Sequence, residues 1–166
     1  QIRNLKQLQQ YVGGHGTHWQ DLPVYQANKL PVSTYINYQT LFIQLANNRF
    51  DYFHRGLNEI WDEQKRHSDT LRIANNVMLF YPHPVYFFVG KHNPDLAQYI
   101  QQGLYLALKD GSFKKLFLKE QGEFIEKGQL NKRHLIRLIN PVVPQDSPKL
   151  NTLWWLPQKF QLSVKS

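Results

Sequence analysis

The stretch LFIQLANNRFDYFHRGLNEIW, residues 41–61, predicts the fold class, because it passes from helix to strand and back to helix. Leu41 and Leu45 repeat at helical spacing, so one face of the first segment is apolar. The two asparagines that follow tolerate the left-handed backbone that ends a helix. The aromatic run 50–53 has the composition of a short strand, and a second apolar helical face begins after the next glycine. Helix, strand and helix in this order indicate an α/β domain with a mostly parallel central sheet flanked by helices.

Further segments on both sides show strand or helix patterns. Extended segments are predicted at 10–12, 31–36, 50–53, 71–74, 77–81 and 85–89. Helices are predicted after Asp21 as the N-cap, from Asn37 to Leu45, over 57–67, from Asn93 to Asp110, and after Ser112. The last stretch, which contains Trp154 and Trp155, has no periodicity and is predicted to be an irregular terminus anchored by its aromatic side chains.

The composition narrows the class of protein. The 166 residues suffice for one domain with a sizeable core, and no window is apolar enough to predict a membrane span. The sequence has no cysteine, which excludes disulfides, thiolate metal sites and cysteine nucleophiles. A formal charge of +8 favours anionic partners, but the basic residues are scattered along the chain. We therefore expect a solvated basic surface and no nucleic-acid partner.

A glycine cluster, GGHGT at residues 13–17, is expected to follow a strand and to lead into a helix. Glycines allow a tight turn and a close approach of the backbone to another group. Free N–H groups and the dipole at a helix N-terminus would favour an anion there. A plain tight turn explains the same residues, and the sequence pattern alone does not decide between the two.

Four segments together resemble the amino-acid-type periplasmic solute-binding proteins, family 3 of the binding proteins of ABC transporters. They are the strand and loop 5–17, the helix and Arg-x-Asp strand 41–51, the apolar strand 85–89 and, most specifically, the helices of 93–117. The resemblance implies two α/β lobes that close on a ligand between them. It further implies that this chain holds the second lobe (1–90), helices returning to the first lobe (91–140) and an irregular aromatic tail (141–166). The N-terminal part of the first lobe has no counterpart here.

The resemblance also implies ligand contacts at the glycine cluster. Gly16 and Thr17 match a loop that holds a substrate carboxylate with backbone N–H groups and a hydroxyl. Trp19 follows this loop, and it is the best candidate among the aromatic residues for lining a ligand cleft.

A second group of predicted contacts follows the Arg-x-Asp motif. Asp51 matches an aspartate with a structural role in the family. The acid that binds the amino group of the ligand falls on Gly56 in this sequence, and Glu59, one helical turn later, could replace it. Arg55 offers a bidentate contact to an anion.

Other kinds of site have weaker sequence signals. His15 and His18 have a spacing compatible with metal binding, but no third ligand lies nearby in sequence, so we predict no metal and no cofactor. Asp51 and Glu59 could form an acid–base pair, but Asp51 alternates with aromatic strand residues, and no catalytic motif occurs. The sequence therefore predicts a protein that is not an enzyme.

These observations predict a periplasmic solute-binding module for a small anionic or amino-acid-like ligand. It would act in transport or sensing with an inner-membrane transporter or sensor as partner. An enzyme built on the same fold, of glycan-cleaving or dehydratase type, is the main alternative, and a basic nucleic-acid binder is another. The sequence leaves the oligomeric state open.

Overall fold

The computed structural model describes residues 1–144 and 154–161. The chain divides into two compact units, which we call the core unit (Gln1–His83 with Gln129–Ser166) and the helical unit (Pro84–Gly128). The helices are α1 (Leu5–Leu8), α2 (Leu22–Ala27), α3 (Tyr38–Ala46), α4 (Ile60–Arg66), α5 (Pro94–Asp110), α6 (Ser112–Gly128) and α7 (Gln158–Gln161). The strands are β1 (Gly13–Gly16), β2 (Val32–Tyr35), β3 (Tyr52–Phe53), β4 (Val77–Phe80) and β5 (His134–Arg137). The fold is thus mixed α/β, as the sequence predicted.

The described residues of the core unit form two parallel sheets. The first has the strand order β2-β1-β3, and its register pairs Gly13 of the central strand with Val32 and with Tyr52. The second pairs β4 with β5, beginning at Val77 and His134. Strand β1 lies between β2 and β3, so the chain runs from β1 to β2 on one side and then crosses to β3 on the other side. The carboxyl ends of β1 and β3 therefore meet at a point where the strand order reverses, which is where open α/β sheets usually bind ligands.

Strand β1 consists of glycines and one histidine, and close packing of aromatic rings explains this composition. A Cβ atom on Gly14 would lie 2.2 Å from the Phe50 ring, and one on Gly16 would lie 2.5 Å from the Trp19 indole. A Cβ atom on Gly13 would likewise lie 2.5 Å from the Tyr25 ring. The glycines are therefore needed because rings occupy the space of their side chains, and they form the strand itself. The prediction that they form a loop after a strand at 10–12 was wrong.

The main apolar core lies around α2 and joins the two sheets. Its buried members come from α1, α2, the loop before β2, and β5 with the residue that follows it: Leu8, Val24, Tyr25, Leu30, Ile136 and Leu138. Helix α3 contacts all three strands of the first sheet and buries Leu41 and Phe42. Helix α3 and the apolar core around α2 thus support the end of the first sheet that carries the candidate site.

Several local predictions from the sequence are confirmed. Asn37 caps α3 by accepting hydrogen bonds from two backbone N–H groups, and Asn48 has the left-handed backbone expected just after that helix. Helix α5 begins with the capping Asn93 and proline at its first turn, and ends at Gly111 with φ of 82°. Asp21 occupies the N-cap position of α2, but its side chain makes no capping hydrogen bond in the described structure.

Other predicted boundaries were wrong. The apolar segment 85–89, which lies within the described residues, forms no strand, and Val85 and Phe88 are almost fully exposed. Segment 71–74 is likewise outside any strand that the structure describes. Strand β3 covers only two of the four predicted residues. Strand β5 was not among the strands predicted from the sequence.

In the helical unit, α5 packs against α6. Apolar residues recur every four positions along α5, at 96, 100, 104 and 108, but Leu96, Leu104 and Leu108 are exposed in the described structure. Among the described residues, no helix combines the length and the apolar character that crossing a membrane requires.

The two compact units do not coincide with the ranges that the resemblance implied, since the division falls after His83 and after Gly128. The assignment of ranges to lobes of a binding protein remains a prediction. Of the predicted irregular tail, 145–153 and 162–166 lie outside the described residues. The described part is not wholly irregular as predicted, because it contains the short helix α7; Trp155 packs near Phe80 of β4, and Leu156 is buried.

Candidate functional site

The residues predicted to bind ligand lie at the carboxyl ends of β1 and β3. Gly16 ends β1, and Thr17 follows it with its backbone N–H donated to the carbonyl of Tyr35 at 3.0 Å. Trp19 folds back over Gly16. Arg55 follows β3, and its guanidinium carbon lies 5.2 Å from the Trp19 ring centroid. The structure therefore brings four of the five predicted residues to one sheet end, and Glu59 joins them through Arg55.

Arg55 is held in a fixed orientation. Its Nε donates to both carboxylate oxygens of Glu63, at 3.0 and 2.8 Å, and its Nη2 donates to Glu63 Oε1 at 2.8 Å. The guanidinium also lies over the rings of Trp19, Tyr38 and Phe53, at 5.2 to 5.5 Å from their centroids. Such cation–π contacts favour a partly desolvated arginine. These contacts consequently hold the side chain in one position.

Glu63 is the site residue that the sequence analysis missed. It is 6% exposed, and its Oε1 also accepts a 2.5 Å hydrogen bond from the Tyr38 hydroxyl. Burial alone would raise the pKa of Glu63, but the ion pair with Arg55 and the Tyr38 hydrogen bond hold that pKa below its ordinary value. Burial and the neighbouring carboxylate raise the pKa of Tyr38 to about 12. Glu63 is therefore a charged partner that orients Arg55.

Glu59 lies at the open side of this arrangement. Its Oε2 accepts from Arg55 Nη2 at 3.0 Å and from the backbone N–H of Gly56 at 3.1 Å, and its side chain is 45% exposed. Within the described residues, Glu59 Oε1 and Arg55 Nη1 make no hydrogen bond. Glu59 is thus a largely exposed acidic side chain paired with Arg55, and each of them keeps a polar atom without a hydrogen bond within the described residues.

The first turn of α2 does not favour the anion site, which the sequence had left open beside a plain tight turn. The Leu22 N–H donates to the carbonyl of Trp19, the Val24 N–H donates to the carbonyl of Asp21, and Pro23 between them has no N–H. The backbone N–H of Thr17 is also bonded, so only its hydroxyl is without a hydrogen bond in the described structure. The helix start therefore offers no set of free donors, and it carries the negative charge of Asp21 instead.

A second polar cluster lies beside the first, and the sequence analysis did not predict it. We call His15, Asp21 and His54 the His/Asp cluster; one ligand atom from each lies within 4.8 Å of the other two. Nε2 of His15 is 3.1 Å from Asp21 Oδ1, and Nε2 of His54 is 3.4 Å from Asp21 Oδ2. His15 is 0% exposed, so this cluster begins in the interior, at the central strand.

Two tyrosines complete the surroundings of the His/Asp cluster. The Tyr81 hydroxyl donates to Asp21 Oδ2 at 2.7 Å and is 2.9 Å from His54 Nε2, while Tyr25 is 2.7 Å from the other ring nitrogen of His54. Burial alone would raise the pKa of Asp21, but interactions with His15, His54 and Tyr81 hold that pKa well below its ordinary value. Burial and the Asp21 carboxylate raise the pKa of Tyr81. Asp21 is therefore an anion surrounded by groups that stabilise its charge.

His15 and His18, whose spacing is compatible with metal binding, do not form a cluster in the described structure. His18 is exposed, whereas Asp21 and His54, one of them far along the chain, lie against His15. His15 is the only residue of β1 other than glycine, and this was the signal in the sequence that its side chain has polar partners.

Asp51 is separate from both clusters. Its carboxylate accepts from the backbone N–H of Val12 at 2.7 Å and ties β3 to the segment before β1.

The comparisons with known proteins identify no relative. No family model, no curated protein and no solved structure matches this chain. The family that the sequence resembles therefore remains a prediction, and the function is argued below from the geometry of the site.

Proposed function

We propose that this chain is part of a periplasmic solute-binding module, which closes on a small polar ligand and serves an inner-membrane transporter or sensor. The position of the candidate residues supports this proposal. They lie at the carboxyl end of a parallel sheet, at the reversal of strand order between β1 and β3, where α/β folds commonly bind small molecules. In this proposal, the sheet end forms one wall of a cleft, and a second lobe forms the other.

The observation that carries the proposal is the pairing of Arg55 with Glu59. Arg55 Nη1 presents two N–H donors and Glu59 Oε1 presents an acceptor, and none of these is bonded within the described residues. A ligand that carries a carboxylate and an ammonium group complements both, because the carboxylate would bind Arg55 and the ammonium would bind Glu59. The proposed ligand class is therefore an amino acid or a close analogue.

The surroundings of Arg55 support binding rather than catalysis. Glu63 and three aromatic rings fix the guanidinium, so a ligand carboxylate would meet a donor that needs no reorganisation. The hydroxyl of Thr17, at the end of the neighbouring strand, is a further donor for the same carboxylate. This small set of polar groups beside the Trp19 ring has the composition of a ligand site, in which few polar groups determine orientation.

Isothermal titration of the full-length protein tests the proposal. Free amino acids should bind, N-acetylated amino acids should bind at least about tenfold more weakly because the ammonium is absent, and amines without a carboxylate should fail similarly. Glu59→Gln should weaken amino-acid binding by at least about tenfold. Asp62→Asn is the matched control, because it removes an exposed carboxylate from the same helix region and should leave the affinity unchanged.

Two results would contradict this assignment. Equal affinities of the Glu59→Gln and Asp62→Asn variants would show that Glu59 does not contact the ligand. A well-folded protein that binds none of the amino acids, carboxylates or amines would refute the solute-binding proposal itself.

A further inference from the structure

We propose that His15, Asp21 and His54 bind one divalent transition-metal ion, of which Zn²⁺ is the representative. The donors would be Nε2 of His15, a carboxylate oxygen of Asp21 and Nε2 of His54. This goes beyond the proposed solute binding, because the cluster uses none of the residues assigned to the ligand. Two imidazoles and one carboxylate are a donor set that zinc and neighbouring metals bind with one position left open.

The hydrogen bonding of His15 is the first argument for a cation. Nδ1 of His15 is 2.9 Å from the carbonyl oxygen of Gly16, and a carbonyl can only accept, so Nδ1 must carry the proton. In the neutral ring, Nε2 is then an unprotonated acceptor that faces the Asp21 carboxylate at 3.1 Å. This nitrogen is fully buried, and it has no hydrogen-bond partner among the described residues. With the ring neutral, this nitrogen and the carboxylate would be two acceptors that face each other and repel, and either a second proton on His15 or a metal ion bound between them removes the repulsion.

The tautomer that His15 adopts is also the one that metal ligands use. A histidine that binds a metal through Nε2 generally donates Nδ1–H to a backbone carbonyl or another acceptor, which fixes the ring. The Gly16 carbonyl has this role for His15. For His54, the Tyr25 hydroxyl is 2.7 Å from Nδ1, and a hydroxyl can accept a hydrogen bond as well as donate one. With Nδ1 as the protonated nitrogen, each ring has an Nε2 lone pair, and for His54 a metal ion would replace the hydrogen bond that Nε2 can make with the Tyr81 hydroxyl at 2.9 Å.

The distances fit an ion of this size. Metal–donor bonds of about 2.0–2.1 Å in a tetrahedral arrangement separate the donors by about 3.4 Å. His15 Nε2 lies 3.1 Å from Oδ1 of Asp21 and His54 Nε2 lies 3.4 Å from Oδ2, so each histidine is at about this distance from one of the two oxygens, and one donor atom from each residue lies within 4.8 Å of the others. Asp21 and His54 remain 18% and 17% exposed, so an ion can enter from their side while His15 closes the site from the interior. The open position would hold water.

The alternative is a purely hydrogen-bonded cluster. Tyr81 donates to Asp21, and a doubly protonated His15 would satisfy the same carboxylate without a metal. This alternative predicts no metal affinity, so metal binding to the protein alone separates the two.

The experiment is titration of the untagged, full-length protein with Zn²⁺ by calorimetry and with Co²⁺ by visible absorption. Wild-type protein should bind one equivalent with high affinity, and Co²⁺ should give the intense visible bands of a site with fewer than six ligands. Asp21→Asn and His54→Gln should weaken binding at least about a hundredfold, since even outer-shell changes cost about 10–100-fold. Tyr25→Phe keeps the core shape and should weaken binding by about tenfold through His54.

His18→Gln is the matched control, because it removes an exposed histidine from the loop next to His15. It should bind both metals as the wild type does, provided that all variants keep the wild-type circular dichroism. The proposal would be overturned if the folded wild type bound no metal at one equivalent. It would also be overturned if His18→Gln lost affinity as much as His54→Gln did, since metal would then bind at the surface. Neither readout uses a solute, so a failure here leaves the solute-binding proposal to its own test.

Discussion

Replacement of Arg55 by methionine should unfold the core unit at clearly lower denaturant concentration. The side chains of Arg55 and Glu63 are 15% and 8% exposed, and the variant would leave the Glu63 carboxylate buried without its cation. Removing one partner of a buried ion pair costs about 3–5 kcal/mol. The hydrogen bond from Tyr38 to Glu63 remains and stabilises the carboxylate, so we expect a loss near the lower limit, about 3 kcal/mol.

The double variant Arg55→Met/Glu63→Met distinguishes a coupled pair from two independent side chains. Replacing a whole buried ion pair by apolar groups is often close to neutral, so the double variant should lose less than about 1.5 kcal/mol. Urea unfolding followed by circular dichroism gives the free energy of unfolding for each variant and its dependence on denaturant. The control is Lys65→Met, which removes an exposed cation from the same helix and should change stability by less than about 0.5 kcal/mol.

Two outcomes would refute this reasoning. A loss below about 1 kcal/mol in Arg55→Met would mean that the pair behaves like an exposed salt bridge. If the loss of stability in the double variant equals the sum of the losses in Arg55→Met and in Glu63→Met, Arg55 and Glu63 are not coupled.

Two further predictions concern pH and the glycine strand. The pKa of Glu63 lies below its ordinary value of 4.5, so its stabilisation is complete above that pH and is lost as pH falls towards the folded-state pKa. The difference in Tm between wild type and Glu63→Gln should therefore shrink between about pH 6 and about pH 3, and a constant difference would contradict this. Gly14→Ala should destabilise by about 2–3 kcal/mol in urea unfolding, because its Cβ would lie 2.2 Å from the buried Phe50 ring; Gly14→Ala/Phe50→Leu should recover part of the loss. Gly103→Ala in α5, whose Cβ would meet no described atom within 4 Å, should instead be neutral or raise helix stability by up to about 1 kcal/mol, and a large loss there would show that the Gly14 result is not due to crowding.

Local signals in the sequence were sufficient for α3 and α5, but not for the short helices α1 and α7. Asn37 caps α3, and the Asn93–Pro94 start and Gly111 end define α5, because capping depends on residues within one turn of the helix end. The central strand β1 was not predictable in this way. Its glycines have low strand propensity, and the rings that make them necessary, such as Phe50, come from distant parts of the chain.

The same distinction applies to the site. Arg55, Glu59 and Trp19 were predicted from the family resemblance together with residue type, and they lie together in the structure, while their role in ligand binding remains a prediction. Glu63 was missed because its role depends on how α4 returns towards the end of β3, which periodicity does not reveal. His54 was missed because its partners lie on other elements of the core unit. Side chains that meet across elements are determined by packing, and a single sequence does not show packing.

The position of Trp19 gives the candidate site an optical reporter. Its indole lies against His15, with ring centroids 5.1 Å apart, and beneath the guanidinium of Arg55. Emission from an indole changes when nearby charge or polarity changes, so a solute at Arg55 or a cation at His15 would alter the fluorescence of the same side chain. A variant in which the other three tryptophans, Trp61, Trp154 and Trp155, are replaced by phenylalanine would leave Trp19 as the sole source of that signal. Because Trp19 contacts both Arg55 and His15, its fluorescence can report on events at either side chain.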